Sequence, residues 1–374
     1  MRRIHAVTRI SRLPLPLARL RRLALASIIA NVVIVVTGGA VRLTGSGLGC
    51  PTWPRCTEES YVSTPEMGIY GAIEFGNRLV SWVVGLVAMV GLVAVLLHRP
   101  RRRSLVTLAA LVLFGVVAQG VIGGITVRTQ LHPSIVGIHF VGSMLLLLAA
   151  YAFWKRTAEP DGPTRPVVPG PLRALTWLTV AASAAVVLVG VAVTGSGPHA
   201  GDADAARNGL DPATISQIHA DLVFLLLGLT VALWLALRAV GAPATAVRAA
   251  GVLLLVELAQ GVIGFVQYFT NLPALLVGAH MLGACLVWLA TLAVLWSTRE
   301  RLPAPRPGAP AAAAGTGPAI PTSDASHGGD PSDGGDRRDS GGLGDPRHAG
   351  DLSGLGDPSG LSDAGIDRAP TTTR

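Results

Sequence analysis

Eight stretches of mainly apolar residues, each about 20 residues long and so able to cross a bilayer, dominate this chain. They run over 23–41, 72–97, 105–127, 134–154, 173–194, 214–238, 249–269 and 274–297. No water reaches backbone N–H and C=O groups inside lipid, so such segments must be helices that satisfy their own hydrogen bonds. Half of the 374 residues are hydrophobic and only 14% are charged. The fold class predicted is an all-α integral membrane protein with eight transmembrane helices.

The net charge of +8 is explained by where the basic residues fall. Arg2, Arg3, Arg9, Arg12, Arg19, Arg21 and Arg22 precede the first apolar stretch. Arg99, Arg101, Arg102, Arg103, Lys155, Arg156, Arg165, Arg173, Arg238 and Arg248 lie in alternate loops, a total of 17 on this side. The other side holds five: Arg42, Arg55, Arg78, Arg128 and Arg207. This positive-inside pattern places both termini in the cytoplasm and the chain, as a multi-pass protein, in the cell (plasma) membrane. The basic balance is thus topological, and no nucleic-acid partner is expected. The first apolar stretch has too long a basic lead for a cleaved signal peptide, and no small-residue cleavage site follows it.

The hexapeptide Ala-Gln-Gly-Val-Ile-Gly occurs at 118–123 and again at 259–264, and in each copy a histidine follows 16 residues after the last glycine: His139 and His280. The chain is therefore read as a duplication. Residues 1–22 form a basic cytoplasmic lead, 23–154 a first four-helix half, 155–172 a cytoplasmic linker, 173–297 a second four-helix half, and 298–374 a Gly-, Pro-, Ser- and Asp-rich cytoplasmic tail. The tail's composition predicts disorder. Four spans per repeat keep both halves in one orientation, as two tandem four-helix bundles related by a pseudo-twofold axis along the membrane normal.

Of nine histidines, His5, His98, His132, His199, His327 and His348 fall in tails or loops and read as solvated. His139, His219 and His280 lie a few residues inside the outer ends of spans four, six and eight. Ionisable groups inside a membrane are costly and mark working sites. His219 and His280 are matched in depth and can face each other across one bundle, the arrangement that holds a b-type haem by two axial imidazoles. In the first half His139 matches His280, but the counterpart of His219 falls in Glu74-Phe75-Gly76-Asn77-Arg78, and Asn77 is a poor iron ligand. A haem there would have one protein imidazole and an open position, which suits reaction. Glu74 shares a helical face with Asn77; it reads either as a proton-handling group or as an ion-pair partner of Arg78 or Arg128. Asp221 reads as structural, and Glu257 as a proton relay or a cap.

The loop after span one carries Cys50 and Cys56 on the outer, oxidising side, where a small disulfide loop is expected; the spacing matches neither thioredoxin nor zinc motifs. Cys285, inside span eight, reads as core. Arg42, Arg78 and Arg128 sit at outer helix ends, as contacts for haem propionates or as snorkelling side chains.

Together these elements resemble the heme A synthase family over 23–297. The resemblance rests on Gly-Gly-Ala-Val-Arg-Leu-Thr-Gly-Ser-Gly-Leu-Gly-Cys-Pro at 38–51, the Cys50/Cys56 loop, Glu74-Phe75-Gly76-Asn77-Arg78, both hexapeptides, and His139, His219 and His280. It implies an oxidoreductase that converts the ring D methyl of haem O to a formyl group, giving haem A for cytochrome oxidase. It further implies a retained haem b in the second half, a substrate site in the first, an essential role for Glu74, and a Cys50–Cys56 disulfide. Haem O is then the substrate, haem O synthase and an unidentified electron donor or acceptor are the partners in the bilayer, and a homo-oligomer is compatible. Many members carry histidine where this chain has Asn77. A quinol-linked haem b electron carrier is the alternative, and a symmetric carrier should have two complete histidine pairs. A repeat-built transporter would need broken helices at mid-membrane.

Overall fold

A computed structural model describes residues 16–304. Its helices are α1 (Leu17–Leu43), α2 (Gly68–Leu97, after a short turn at Pro65–Met67), α3 (Arg103–Arg128), α4 (Pro133–Ala158), α5 (Gly170–Ser196), α6 (Pro212–Ala239), α7 (Ala244–Phe269) and α8 (Ala274–Ser297). All eight are long and apolar enough to cross a membrane, and the described chain is a multi-pass membrane protein of the all-α class, with no sheet core. Bulky side chains such as Trp82, Phe114, Phe269 and Leu275 are exposed on its flanks, as lipid-facing residues should be. Small residues fill the helix contacts: Ala24, Ala109, Ala150, Ala246 and Ala250 are buried. In lipid, close backbone approach at small residues, not water exclusion, holds helices together.

Proline places many of the helix starts. Pro16, Pro169, Pro243 and Pro273 immediately precede α1, α5, α7 and α8, and Pro133 and Pro212 open α4 and α6. A proline costs nothing where the N–H has no helical partner. Asp211 caps α6, accepting from the Thr214 hydroxyl and backbone N–H at 2.7 Å each. Those two bonds hold its carboxyl below the usual range.

The packing repeats the duplication. Within each half, consecutive helices pack and the first closes on the fourth: α1 on α4, and α5 on α8. The halves meet through α1 with α8, α4 with α5, and α4 with α8. Exchanging the halves maps this set onto itself, which is what a pseudo-twofold requires. The Trp288 indole donates to the Met144 carbonyl (3.0 Å) where α8 crosses α4. The turns before α4 and α8 are also copies. Gln130 and Leu131 have φ of 51° and 58°, and Asn271 and Leu272 have 61° and 57°. Leu131 N–H donates to Thr126 O and Leu272 N–H to Gln267 O, both at 2.8 Å. This left-handed helix end costs strain in non-glycine residues, and it starts α4 and α8 identically relative to the preceding helices.

Several boundaries differ from the sequence reading. α1 begins at Leu17, so Arg19, Arg21 and Arg22 of the basic lead are helical. α4 runs into the linker to Ala158. Within the linker, Thr164–Pro166 pairs antiparallel with Arg299–Arg301, so the first residues of the tail are ordered. No apolar periodicity marks this short pairing; charge holds it. Arg165 pairs with Glu300, Arg301 with Glu159, and both Arg102 and Arg156 with Asp161. His98, read as solvated, is buried. His199 is half-buried with its Nε2 2.9 Å from the Leu272 carbonyl. The remainder of the lead and tail, including Arg2, Arg3, Arg9, Arg12, His5, His327 and His348, lies outside the described residues.

Candidate functional site

His139, His219 and His280 all sit near the N-terminal ends of their helices, six or seven residues in from Pro133, Pro212 and Ala274. That is roughly 9–11 Å of helix at the standard rise. In the second half the rings of His219 and His280 face each other with centroids 6.4 Å apart and planes at 65°. The separation is that of an edge-to-face ring pair (about 4.5–7 Å between centroids) and equally that of two imidazoles sharing one metal. An imidazole centroid lies roughly 1.1 Å from its own nitrogen, so two metal–nitrogen bonds of about 2.0–2.1 Å put the centroids roughly 6.3 Å apart.

The pair stands without further protein ligands: among the described residues no three His, Cys, Asp or Glu side chains cluster as a metal site. Zinc-type centres need three or four protein donors, whereas an iron porphyrin brings its own ring nitrogens and asks only for axial ligands. The residues present therefore fit a haem. Nδ1 of His139, His219 and His280 is buried and makes no hydrogen bond among the described residues.

Glycines make room for the rings. A Cβ at Gly190 would lie 3.1 Å from His219 Cε1, one at Gly264 3.3 Å from His280 Cε1, and one at Gly123 3.4 Å from His139 Cε1. Gly123 and Gly264 are the last residues of the two hexapeptides. The glutamine one turn earlier lies on the same helical face. Gln260 Nε2 donates to the His280 carbonyl at 2.7 Å. Gln119 instead takes part in a chain through Ser143, whose hydroxyl lies 3.3 Å from Gln119 Oε1 and 3.0 Å from the His139 carbonyl. Sequence reasoning missed both glutamines and Gly190; the hexapeptide was the signal for the glutamines, and nothing marked Gly190.

Among the described residues no second imidazole faces His139; the other histidines of the first half, His98 and His132, cap helix ends. Asn77, in the Glu74–Arg78 segment read as the counterpart of His219, is turned to α1: its Oδ1 accepts from the Thr37 hydroxyl at 2.8 Å. Glu74 is buried, and both of its oxygens are engaged. Oε2 accepts from the Cys50 backbone N–H and Oε1 pairs with Arg78, each at 2.6 Å. Arg78 then donates to the carbonyls of Cys50, Thr52 and Arg55 at 3.0–3.1 Å. Glu74 and Arg78 thus hold the Cys50–Cys56 loop, whose disulfide is formed. Gly49 brings this loop against the α2 backbone at Tyr70, and Trp53 covers Gly124 of α3; a Cβ at either glycine would overlap these neighbours. The loop therefore roofs the first half next to the Gly123–His139 contact.

The three arginines separate. Arg42 donates to the His199 carbonyl (2.5 Å) and the Thr194 carbonyl (2.9 Å), tying α1 to the second half. Arg78 is committed to the loop. Arg128 lines a cavity of about 440 Å³ with Trp53, Arg55 and other loop residues. Asp221 is held by Gln217 (2.8 Å). Glu257 accepts from Thr230 (2.9 Å) and leaves Oε2 without a partner among the described residues. Cys285 is buried in the core.

Fold and site define a class: a membrane-spanning tandem of four-helix bundles, each with a histidine site near the same end. Residues 21–292 match the family model described as cytochrome oxidase assembly protein (COX15-CtaA). The heme A synthase of Symbiobacterium thermophilum is 33% identical over 167 residues, 42% of this chain and 53% of that protein. Those of Alkalihalophilus pseudofirmus and Shouchella clausii are 31% and 29% identical, over 40% of this chain and 50% of each relative. The chain spans about half the length of the curated relatives it matches. With the family model covering most of the membrane region, the chain belongs to the heme A synthase family.

Proposed function

We propose that this protein acts in haem A biosynthesis for cytochrome oxidase, as an oxidoreductase that converts the ring D methyl of haem O to a formyl group. The methyl carbon loses hydrogen and electrons and gains one oxygen, so an electron acceptor and an oxygen source take part. The observation that supports this reading is the broken symmetry of the two halves. The second has a complete histidine pair 6.4 Å apart, suited to a group that stays. The first has His139 alone, with Asn77 bonded elsewhere, suited to a group that enters and leaves. A simple electron carrier would have no use for this difference.

His219 and His280 would hold haem b, which when bound supplies reversible one-electron transfer. His139 would ligate the substrate haem. Gly123, Gly190 and Gly264 keep space beside the three rings. Glu74 holds the roof of the first half closed through Cys50 and Arg78, and its charge lies at the mouth of that half. Arg128 would meet a propionate. The distribution of basic residues among the loops supports a topology with both termini in the cytoplasm and the histidine ends on the outer side of the plasma membrane.

The test is co-expression with a source of haem O and chromatography of the extracted pigments. Haem A, or its hydroxylated precursor, should accumulate with the wild-type chain and stop with Glu74→Gln while haem b stays bound. Absence of any modified porphyrin with the wild-type chain overturns the reading.

A further inference from the structure

We propose that Gln260 is a positioning residue for the axial ligand His280: by bonding the backbone of α8 at the ligand itself, it fixes the height and tilt at which the imidazole meets its metal. This rests on the reading that His280 ligates a haem. Two contacts from one face of α7 converge on residue 280. Gln260 donates to its carbonyl at 2.7 Å, and Gly264, one turn on, faces its ring. The first seats the backbone and the second leaves the imidazole free to reach inward.

The approach is purpose-built. The amide of Gln260 lies over Gly283, where any Cβ would overlap Oε1. That oxygen is buried and unpartnered among the described residues. A glutamine kept only for packing would do better as leucine or methionine, since an unpaired amide oxygen in an apolar setting is costly. Its retention points to the bond made by the other end of the amide. Groups that orient a metal's histidine from outside its coordination shell tune affinity and electronic properties.

The first half supplies the contrast. Gln119 also lies over Gly142, but with its Nε2 rather than its oxygen against the glycine, so its Oε1 is turned to Ser143 and its amide does not bond the His139 backbone directly. That single hydroxyl proton can serve the His139 carbonyl or Gln119 Oε1, not both. In the second half Ala284 takes the place of Ser143, and the glutamine bonds the ligand residue directly.

The experiment uses the purified full chain with its haem. Gln260→Met removes the donor at equal length. Gly283→Ala keeps the amide and displaces it. Gln119→Met makes the matching change in the other half. Haem content, midpoint potential and carbon monoxide binding by the reduced haem are measured for each. Both second-half variants should retain haem, shift the potential in a common direction and raise the carbon monoxide-competent fraction roughly 2- to 10-fold, the range expected for one neutral hydrogen bond. Gln119→Met should leave the second-half haem unchanged. Wild-type potential and carbon monoxide binding in both second-half variants overturns the proposal, as does an equal shift from Gln119→Met. If one second-half variant fails to fold, the other decides alone. Failure of the underlying haem reading is recognised separately, by haem that survives His280→Ala.

Discussion

Glu74 is the residue whose replacement says most about how the first half is closed. Cys50 and Cys56 are fully buried, so a reductant reaches their disulfide only when the loop opens. Glu74 and Arg78 keep it shut through the Cys50 N–H and three loop carbonyls. Glu74→Gln preserves size and one acceptor but removes the charge. The side chains of the ion pair are 6% and 17% exposed. Its worth therefore lies between about 0–1 kcal/mol for a solvated pair and about 3–5 kcal/mol for breaking a buried one. With a charge-assisted bond to Cys50 also weakened, the closed loop should lose roughly 1.5–3 kcal/mol. At about 1.4 kcal/mol per factor of ten, the open population rises roughly 10- to 150-fold. Reduction by dithiothreitol in detergent, with thiols trapped by alkylation and counted by mass, follows that population when reclosing outpaces reaction. Glu74→Ala, which removes the acceptor as well, should be reduced faster still. A reduction rate for Glu74→Gln within twofold of wild type would refute the assignment of Glu74 as the anchor of the loop.

Glycine substitution tests the ring seats. Gly190→Ala and Gly264→Ala place a methyl 3.1 Å and 3.3 Å from His219 and His280, so haem retention should fall several-fold. Gly261→Ala, which meets nothing within 4 Å, should behave as wild type in the same absorbance assay. At the opposite end, burial works against ionisation of Asp161, but hydrogen bonds and charge from Arg102 and Arg156 outweigh it and hold the carboxyl below its ordinary value. The depressed value means its contribution is present above the unfolded pKa of about 3.9 and is lost as the pH falls through the lower folded value. Its side chain is half exposed, so Asp161→Asn should cost only about 0.5–1 kcal/mol near pH 6. The difference from wild type in thermal melts should vanish at the acid end; a constant offset across that range would contradict the linkage.

Eight spans, the duplication and all three membrane histidines could be read from residues alone because each is a periodic or compositional signal. Apolar length sets a span, and a repeated hexapeptide sets a register for His139 and His280. The pairing of Thr164–Pro166 with Arg299–Arg301 was not legible, since three-residue strands carry no hydrophobic pattern and are held by ion pairs between distant segments. The role of Glu74 was legible only as two alternatives. Its partner Arg78 is one turn away and could be named, whereas the Cys50 N–H it also bonds is brought near by the fold of the loop. Arg42, Arg78 and Arg128 looked equivalent at their helix ends; only packing separates the two that bond backbone carbonyls from the one that lines a cavity. Gln119 and Gln260 stood in the repeat itself, but a glutamine in a helix does not announce a bond to the backbone of its neighbour.

On this reading, one half keeps a haem between two histidines while the other is built for exchange. Purification of the full chain, followed by quantification of its haem and spectroscopic determination of axial ligation, tests it most directly. One tightly held low-spin haem b with two imidazole ligands is expected, lost in His219→Ala and in His280→Ala and retained in His139→Ala. A retained haem that survives both second-half substitutions, or that disappears with His139→Ala alone, would contradict it.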